Sequence, residues 1–149
     1  MNTQYFKILS ILILTWLISC NSSTSEIYQV NNYAIDGYDV VAFHTHQKPI
    51  KGNKEFSFHW KDANWLFVNQ TNLDKFIKEP ERYAPQYGGY CAYGMSQGYK
   101  ASTEADTWTI LDHKLYFNYN QDVKKKWSLD QEGYIEKADD YWPNIKLSK

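Results

Sequence analysis

A hairpin-and-helix pattern is written twice in this chain, the second copy about 50 positions after the first. The first copy opens with Phe56-Ser57-Phe58-His59-Trp60, apolar at every second position as a half-buried strand requires. Lys61-Asp62-Ala63-Asn64 supplies turn chemistry, and Trp65-Leu66-Phe67-Val68 returns as the partner strand. Asn69 to Thr71 are helix-capping types, and Leu73, Phe76 and Ile77 follow at helical spacing. Pro80 disfavours helical geometry in the residue before it, so that helix breaks near Glu79 and a short new one runs to Tyr83. The second copy reads Trp108-Thr109-Ile110-Leu111, a turn at Asp112-His113-Lys114, then Leu115-Tyr116-Phe117. Caps recur from Asn118 to Asp122, and Val123 and Trp127 share one helical face. Asp130 is placed to cap a last helix that ends before Pro143. Two such units bury their apolar faces against each other, which predicts one α+β domain with a helical C-terminus.

Composition agrees with a packed core. The chain has 149 residues, 43% of them hydrophobic, which excludes a disordered or low-complexity protein. Its aromatic fraction is 17%, and most of those rings fall on the core faces of the two units. A formal charge of −1 leaves no basic excess, so nucleic acid is not an expected partner.

The N-terminus reads as an address. Lys7 is the lone charge before an apolar run from Ile8 to Ile18, which at 1.5 Å rise per residue is too short for a hydrocarbon core of about 30 Å. A short charged region followed by a short apolar one is the layout of a secretory signal peptide. Leu17-Ile18-Ser19-Cys20 matches the bacterial lipobox, in which the Cys thiol is lipidated and becomes the new N-terminus. The expected location is the bacterial cell envelope, with the membrane as a partner through lipid on Cys20. Asn21 to Glu26 then forms a polar tether. Lipidation of Cys20 leaves Cys91 without an intrachain disulfide partner.

Between the copies, the stretch from Tyr87 to Tyr99 carries four glycines and four tyrosines around one thiol and one thioether. Several motifs here stand in a recognisable order. They are Asp36-Gly37-Tyr38-Asp39-Val40-Val41-Ala42-Phe43, Trp65-Leu66-Phe67, the run from Phe76 to Pro85, and Tyr87-Gly88-Gly89-Tyr90-Cys91-Ala92. The chain closes on Tyr134-Ile135-Glu136-Lys137-Ala138-Asp139-Asp140-Tyr141-Trp142-Pro143. Together they resemble the YHS-domain family, in its secreted or lipid-anchored bacterial branch. The resemblance implies a small treble-clef-like module and divides the chain into a signal peptide (1–19), an anchor and flexible tether (20–31), a YHS-like domain (32–143) and a tail (144–149).

Family members attached to copper-transporting ATPases carry metal-handling cysteines in Asp-Pro-Val-Cys-Gly-Met and Phe-Cys-x-x-x-Cys segments. The matching stretches here, Asp36 to Val41 and Phe67 to Asn72, contain no cysteine. A metal site would need other donors. Cys91 and Met95 are soft ligands suited to Cu(I), and His44 and His46 would face one side of an extended segment. Copper or another transition metal bound by these four is the leading expectation, set against Cys91 as a buried core thiol. The alternative is a metal-free module that binds a small molecule or an envelope protein in a Tyr-rich cleft. Tyr87, Tyr90, Tyr93 and Tyr99 would line it, with Asp39 and Asp36 as hydrogen-bond acceptors. A thiol enzyme built on Cys91 would need a base within reach. His59 falls in a strand and His113 in a turn, and no catalytic motif is present, so binding rather than catalysis is expected.

Overall fold

Three tight hairpin turns shape the sheets, and each uses two consecutive residues at positive φ. In this computed structural model, which describes residues 25–148, Lys61 and Asp62 (φ 49° and 55°) join strand β3 (Asn53–Trp60) to β4 (Ala63–Phe67). Asp112 and His113 (φ 49° and 63°) join β5 (Thr109–Leu111) to β6 (Lys114–Tyr116). Asn31 and Asn32 (φ 52° and 66°) join β1 (Gln29–Val30) to β2 (Tyr33–Ala34). Paired positive φ values are the signature of type I′ turns, whose twist matches that of the flanking strands. Both copied hairpins therefore close in two residues, and Ala63, Asn64 and Lys114, expected in turns, already pair in strands.

The four-stranded sheet has the order β1-β2-β4-β3, with β2 parallel to β4 and the other pairs antiparallel. The second sheet is the β5-β6 hairpin alone. Helix α1 (Val40–Thr45) precedes β3; α2 (Gln70–Lys78) and α3 (Pro80–Tyr83) follow β4. A short α4 (Ala92–Ser96) precedes β5, and α5 (Gln121–Trp127) and α6 (Gln131–Ile145) complete the helical C-terminal part. The equivalent caps of the two copies behave alike: the Asn72 N–H donates to Asn69 Oδ1 and the Val123 N–H to Asn120 Oδ1, both at 2.9 Å. The alternation in β3 is also seen, with Phe56, Phe58 and Trp60 turned toward the core. The mixed α+β class is thus present, with helices outnumbering strands in the C-terminal half.

Two hydrophobic clusters form the interior. Phe43, Trp65, Phe67 and Phe76 pack with Leu115 and Phe117 in the first; Tyr87, Met95, Tyr116, Trp127 and Ala138 make the second. The alternation along β6 divides its neighbours between them, Leu115 and Phe117 to one side and Tyr116 to the other. Phe76 and Trp127, which occupy equivalent positions in the two copies, are both fully buried.

Several boundaries differ from those expected. The segment assigned to the flexible tether is folded from Ile27, which is 2% exposed in the first cluster. The Tyr28 N–H donates to the Gly88 carbonyl at 2.8 Å, and a Cβ at Gly88 (φ 61°) would collide with the Glu26 carbonyl. Only glycine lets these backbones approach so closely. Helix α6 does not stop before Pro143 but runs through it to Ile145. Trp142 and Ile145 pack on the second cluster, so burial holds the last turn although proline withdraws one N–H. The 144–149 tail accordingly begins inside a helix. The expected signal peptide (1–19) and the expected lipidation residue Cys20 lie outside the described residues. Among the described residues, no helix is long and apolar enough to cross a membrane.

Candidate functional site

Cys91 is a helix cap. Its sulfur accepts the Gly94 N–H at 3.3 Å as the N-cap of α4, and its S–H donates to Asn118 Oδ1 at 3.7 Å. It is 1% exposed, and burial pushes the thiol pKa up, which keeps it protonated and unreactive. Met95, one turn along, is sealed in the second cluster.

The two histidines of the expected metal set are not on an extended segment. His44 lies in α1 and His46 caps its C-terminus, about 200° apart around the helix axis, so they face opposite ways. His46 Nδ1 meets Thr45 Oγ1 at 2.9 Å on the surface, and the His44 ring stands edge-on to Tyr83 with centroids 5.4 Å apart. Among the described residues, no group of three or more His, Cys, Asp or Glu is placed to hold a metal ion. The donor set Cys91, Met95, His44 and His46 is therefore not brought together: two members serve packing and capping, and two sit on a helix on opposite faces.

Asp39 is also committed to the fold. Fully buried, it accepts the Val41 and Ala42 N–H groups at the start of α1, the Val68 N–H, and Asn72 Nδ2, at 2.7–3.1 Å. Four donors saturate the carboxylate and pin α1 to the end of β4 and to α2. No acceptor capacity remains for a ligand.

The tyrosines diverge. The Tyr87 hydroxyl donates to Asp139 Oδ1 at 2.9 Å, and burial, with that carboxylate, pushes its pKa far up. Its neighbour Tyr116 is pushed up to about 12, burial again leading. The Tyr90 hydroxyl donates to the Ser25 carbonyl at 3.1 Å, and the Tyr93 ring stands edge-on to Tyr134 at 5.2 Å. These rings fasten the N-terminal segment and α6 to the Gly-rich region. They do not converge on one cleft.

A different surface is built to receive something. Phe43 and His44 of α1, Arg82 and Tyr83 of α3, and Trp108, Ile110 and His113 around β5 enclose a groove of about 510 Å³. Phe43 is fully buried at its floor, stacked obliquely on Trp108 at 5.8 Å. Arg82 and His113 are exposed at the rim. Local chemistry places each wall: Asp39 anchors α1, Pro80 starts α3, and the type I′ turn projects His113 past the end of β5. Burial lowers the His44 pKa, and the positive charges of Arg82 and His113 lower it further. The Tyr83 backbone opposes this shift in part without meeting Nε2 in hydrogen-bond geometry. That Nε2 is shielded from solvent and has no hydrogen-bond partner among the described residues, which is costly for an imidazole nitrogen. Among the described residues, no carboxylate lines the groove.

No family model, curated protein or solved structure matches the chain. The groove is accordingly read from its own residues. Of these, sequence reasoning singled out His44, for a different role, and placed His113 in a turn without assigning it one. It passed over Arg82 and Trp108. The one available signal was the turn itself, since a type I′ hairpin holds its side chains out at the sheet end.

Proposed function

We propose that this chain is a YHS-type binding module, held at the bacterial envelope by lipid on Cys20, that takes a small organic ligand in the groove between α1, α3 and β5. The treble-clef-like description of the fold belongs to the same proposal. The order of motifs from Asp36 to Pro143 supports the family reading, and the lipobox supports the anchor. The observation that carries the binding role is the groove itself: a concave surface with aromatic walls and a few converging polar groups. A metal-free ligand is favoured over copper because the soft donors Cys91 and Met95 are packed away from the two imidazoles. Binding rather than turnover is favoured because burial keeps the Cys91 thiol protonated.

The test uses the full chain in detergent micelles, screened against a small-fragment library by protein-observed NMR. Fragments should shift the Trp108 indole and His113 ring resonances, and Trp108→Leu should abolish the shifts of the His113 ring. Hits that map elsewhere, or none at all, overturn the groove as the binding site. Elemental analysis of the same preparation should find no stoichiometric copper. Copper that is present, and lost in Cys91→Ser, would reinstate the metal reading.

A further inference from the structure

The ionisable rim of the groove is basic, from Arg82 and His113, beside the neutral Thr45 and Gln47. Arg82 carries a permanent positive charge at the rim, and His113 stands beside it as a second basic side chain. The only carboxylate paired with Arg82 among the described residues is Glu79, whose oxygen lies 3.3 Å from the guanidinium. Both of those side chains are about half exposed or more, at 63% and 46%, and such surface pairs contribute little. A ligand carboxylate arriving in the groove can therefore take over the guanidinium at small cost. Below the rim the surface changes character: the half-buried Trp108 and Ile110 offer apolar surface over the buried Phe43 and Tyr83, with His44 set among them.

Another cleft of the same chain provides a contrast. A second cleft, of about 440 Å³, is lined by Tyr28 and Tyr38 together with Asp36, Glu104 and Asp106. It is aromatic like the first but carries carboxylates, and Lys51 neutralises one of them through Asp36. An anion is repelled there and attracted at the Arg82 side.

We infer that the groove selects small organic anions, specifically carboxylates on a flat cyclic body, with the carboxylate held at the Arg82–His113 rim and the ring laid against Trp108. The inference rests on the binding role proposed above and narrows it to a ligand class. Guanidinium and carboxylate match in planar geometry, which favours a carboxylate over a spherical anion. The volume accommodates one ring with a short acidic arm and leaves the imidazole of His44 as a neutral contact along its edge.

Phenylacetate and its neutral counterpart 2-phenylethanol separate the charge requirement from ring packing. Each is titrated into the isotopically labelled full chain in detergent micelles, with the Trp108 and His113 resonances as readout. Phenylacetate should bind about tenfold more tightly than 2-phenylethanol, the difference expected of a charge-assisted pair. Arg82→Gln and His113→Gln should each weaken phenylacetate severalfold and leave 2-phenylethanol unchanged. Both residues are exposed, so both variants should keep the wild-type spectrum elsewhere. Equal affinity for the two probes, or phenylacetate binding indifferent to both substitutions, overturns the anion selectivity while the binding role stands. If neither probe moves the Trp108 and His113 resonances up to its solubility limit, while library fragments do, the inference also falls alone. If nothing moves them, both fall.

Discussion

At the scale of single residues, three of the most chemically conspicuous side chains work for the fold. Asp39 spends its carboxylate on four donors, and Cys91 spends its sulfur on capping α4. Tyr87 spends its hydroxyl on Asp139. His44 differs, because its buried nitrogen has no such partner. Burial lowers its folded-state pKa below the ordinary value of 6.5, so the unfolded chain takes up the proton first. The stability associated with neutral His44 is then fully present above pH 6.5 and is lost as pH falls through the folded-state pKa. Urea unfolding across this window should show stability declining on acidification, and His44→Gln should flatten the decline. An identical pH profile in the variant would show that His44 is not the group responsible.

At the scale of elements, local chemistry was largely readable. Alternation in β3, the Asn69 and Asn120 caps, the break at Pro80 and the Asp130 cap follow from short-range sterics and hydrogen bonding, and each is present. The errors arose where long-range packing overrides local preference. The stretch from His44 to His46, expected to be extended, instead ends helix α1, because the buried Asp39 cap starts a helix at Val40 whose β-branched residues give little helical signal. Helix α6 passes Pro143 because Trp142 and Ile145 are packed behind it. The turns are a further case. Type I′ geometry asks for Asn or Gly, yet Lys61-Asp62 holds it, helped by Lys61 pairing with Glu26 at 3.0 Å and Glu81 at 3.1 Å. Asp62→Gly should relieve the positive φ at 55° without disturbing Lys61, stabilising the protein by about 0.5–1 kcal/mol in urea unfolding. A loss of stability would mean that the Asp62 side chain contributes more to the turn than its backbone strain costs.

At the scale of the whole molecule, the two ends of the described chain meet on one lysine. Lys100 Nζ donates to the carbonyls of Ser25 (3.2 Å), Lys146 (2.8 Å) and Ser148 (3.2 Å). Burial lowers its pKa somewhat, a cost these three acceptors help to offset. Lys100→Met should speed amide exchange near residues 25–30 and 145–148 while leaving the protection of β4 and α2 unchanged. Uniform loss of protection would instead place Lys100 within the global unfolding unit. The groove is a feature of this same scale, since its walls come from residues 43–45, 82–83 and 108–113. Each segment reads separately as helix end, short helix and hairpin, and nothing local indicates that they face one another.

Taken alone, the order of residues determined the α+β class, the paired hairpins, most helix starts and the aromatic core, because these depend on periodicity, capping and turn sterics within a few neighbours. Tertiary structure decided which polar groups are consumed and which remain available. Cys91, Asp39 and Tyr87 found partners as much as 52 positions away, whereas His44, Arg82 and His113 were left around an open groove. Whether a side chain serves the fold or a ligand depends on what stands opposite it, and that is set by packing between distant segments.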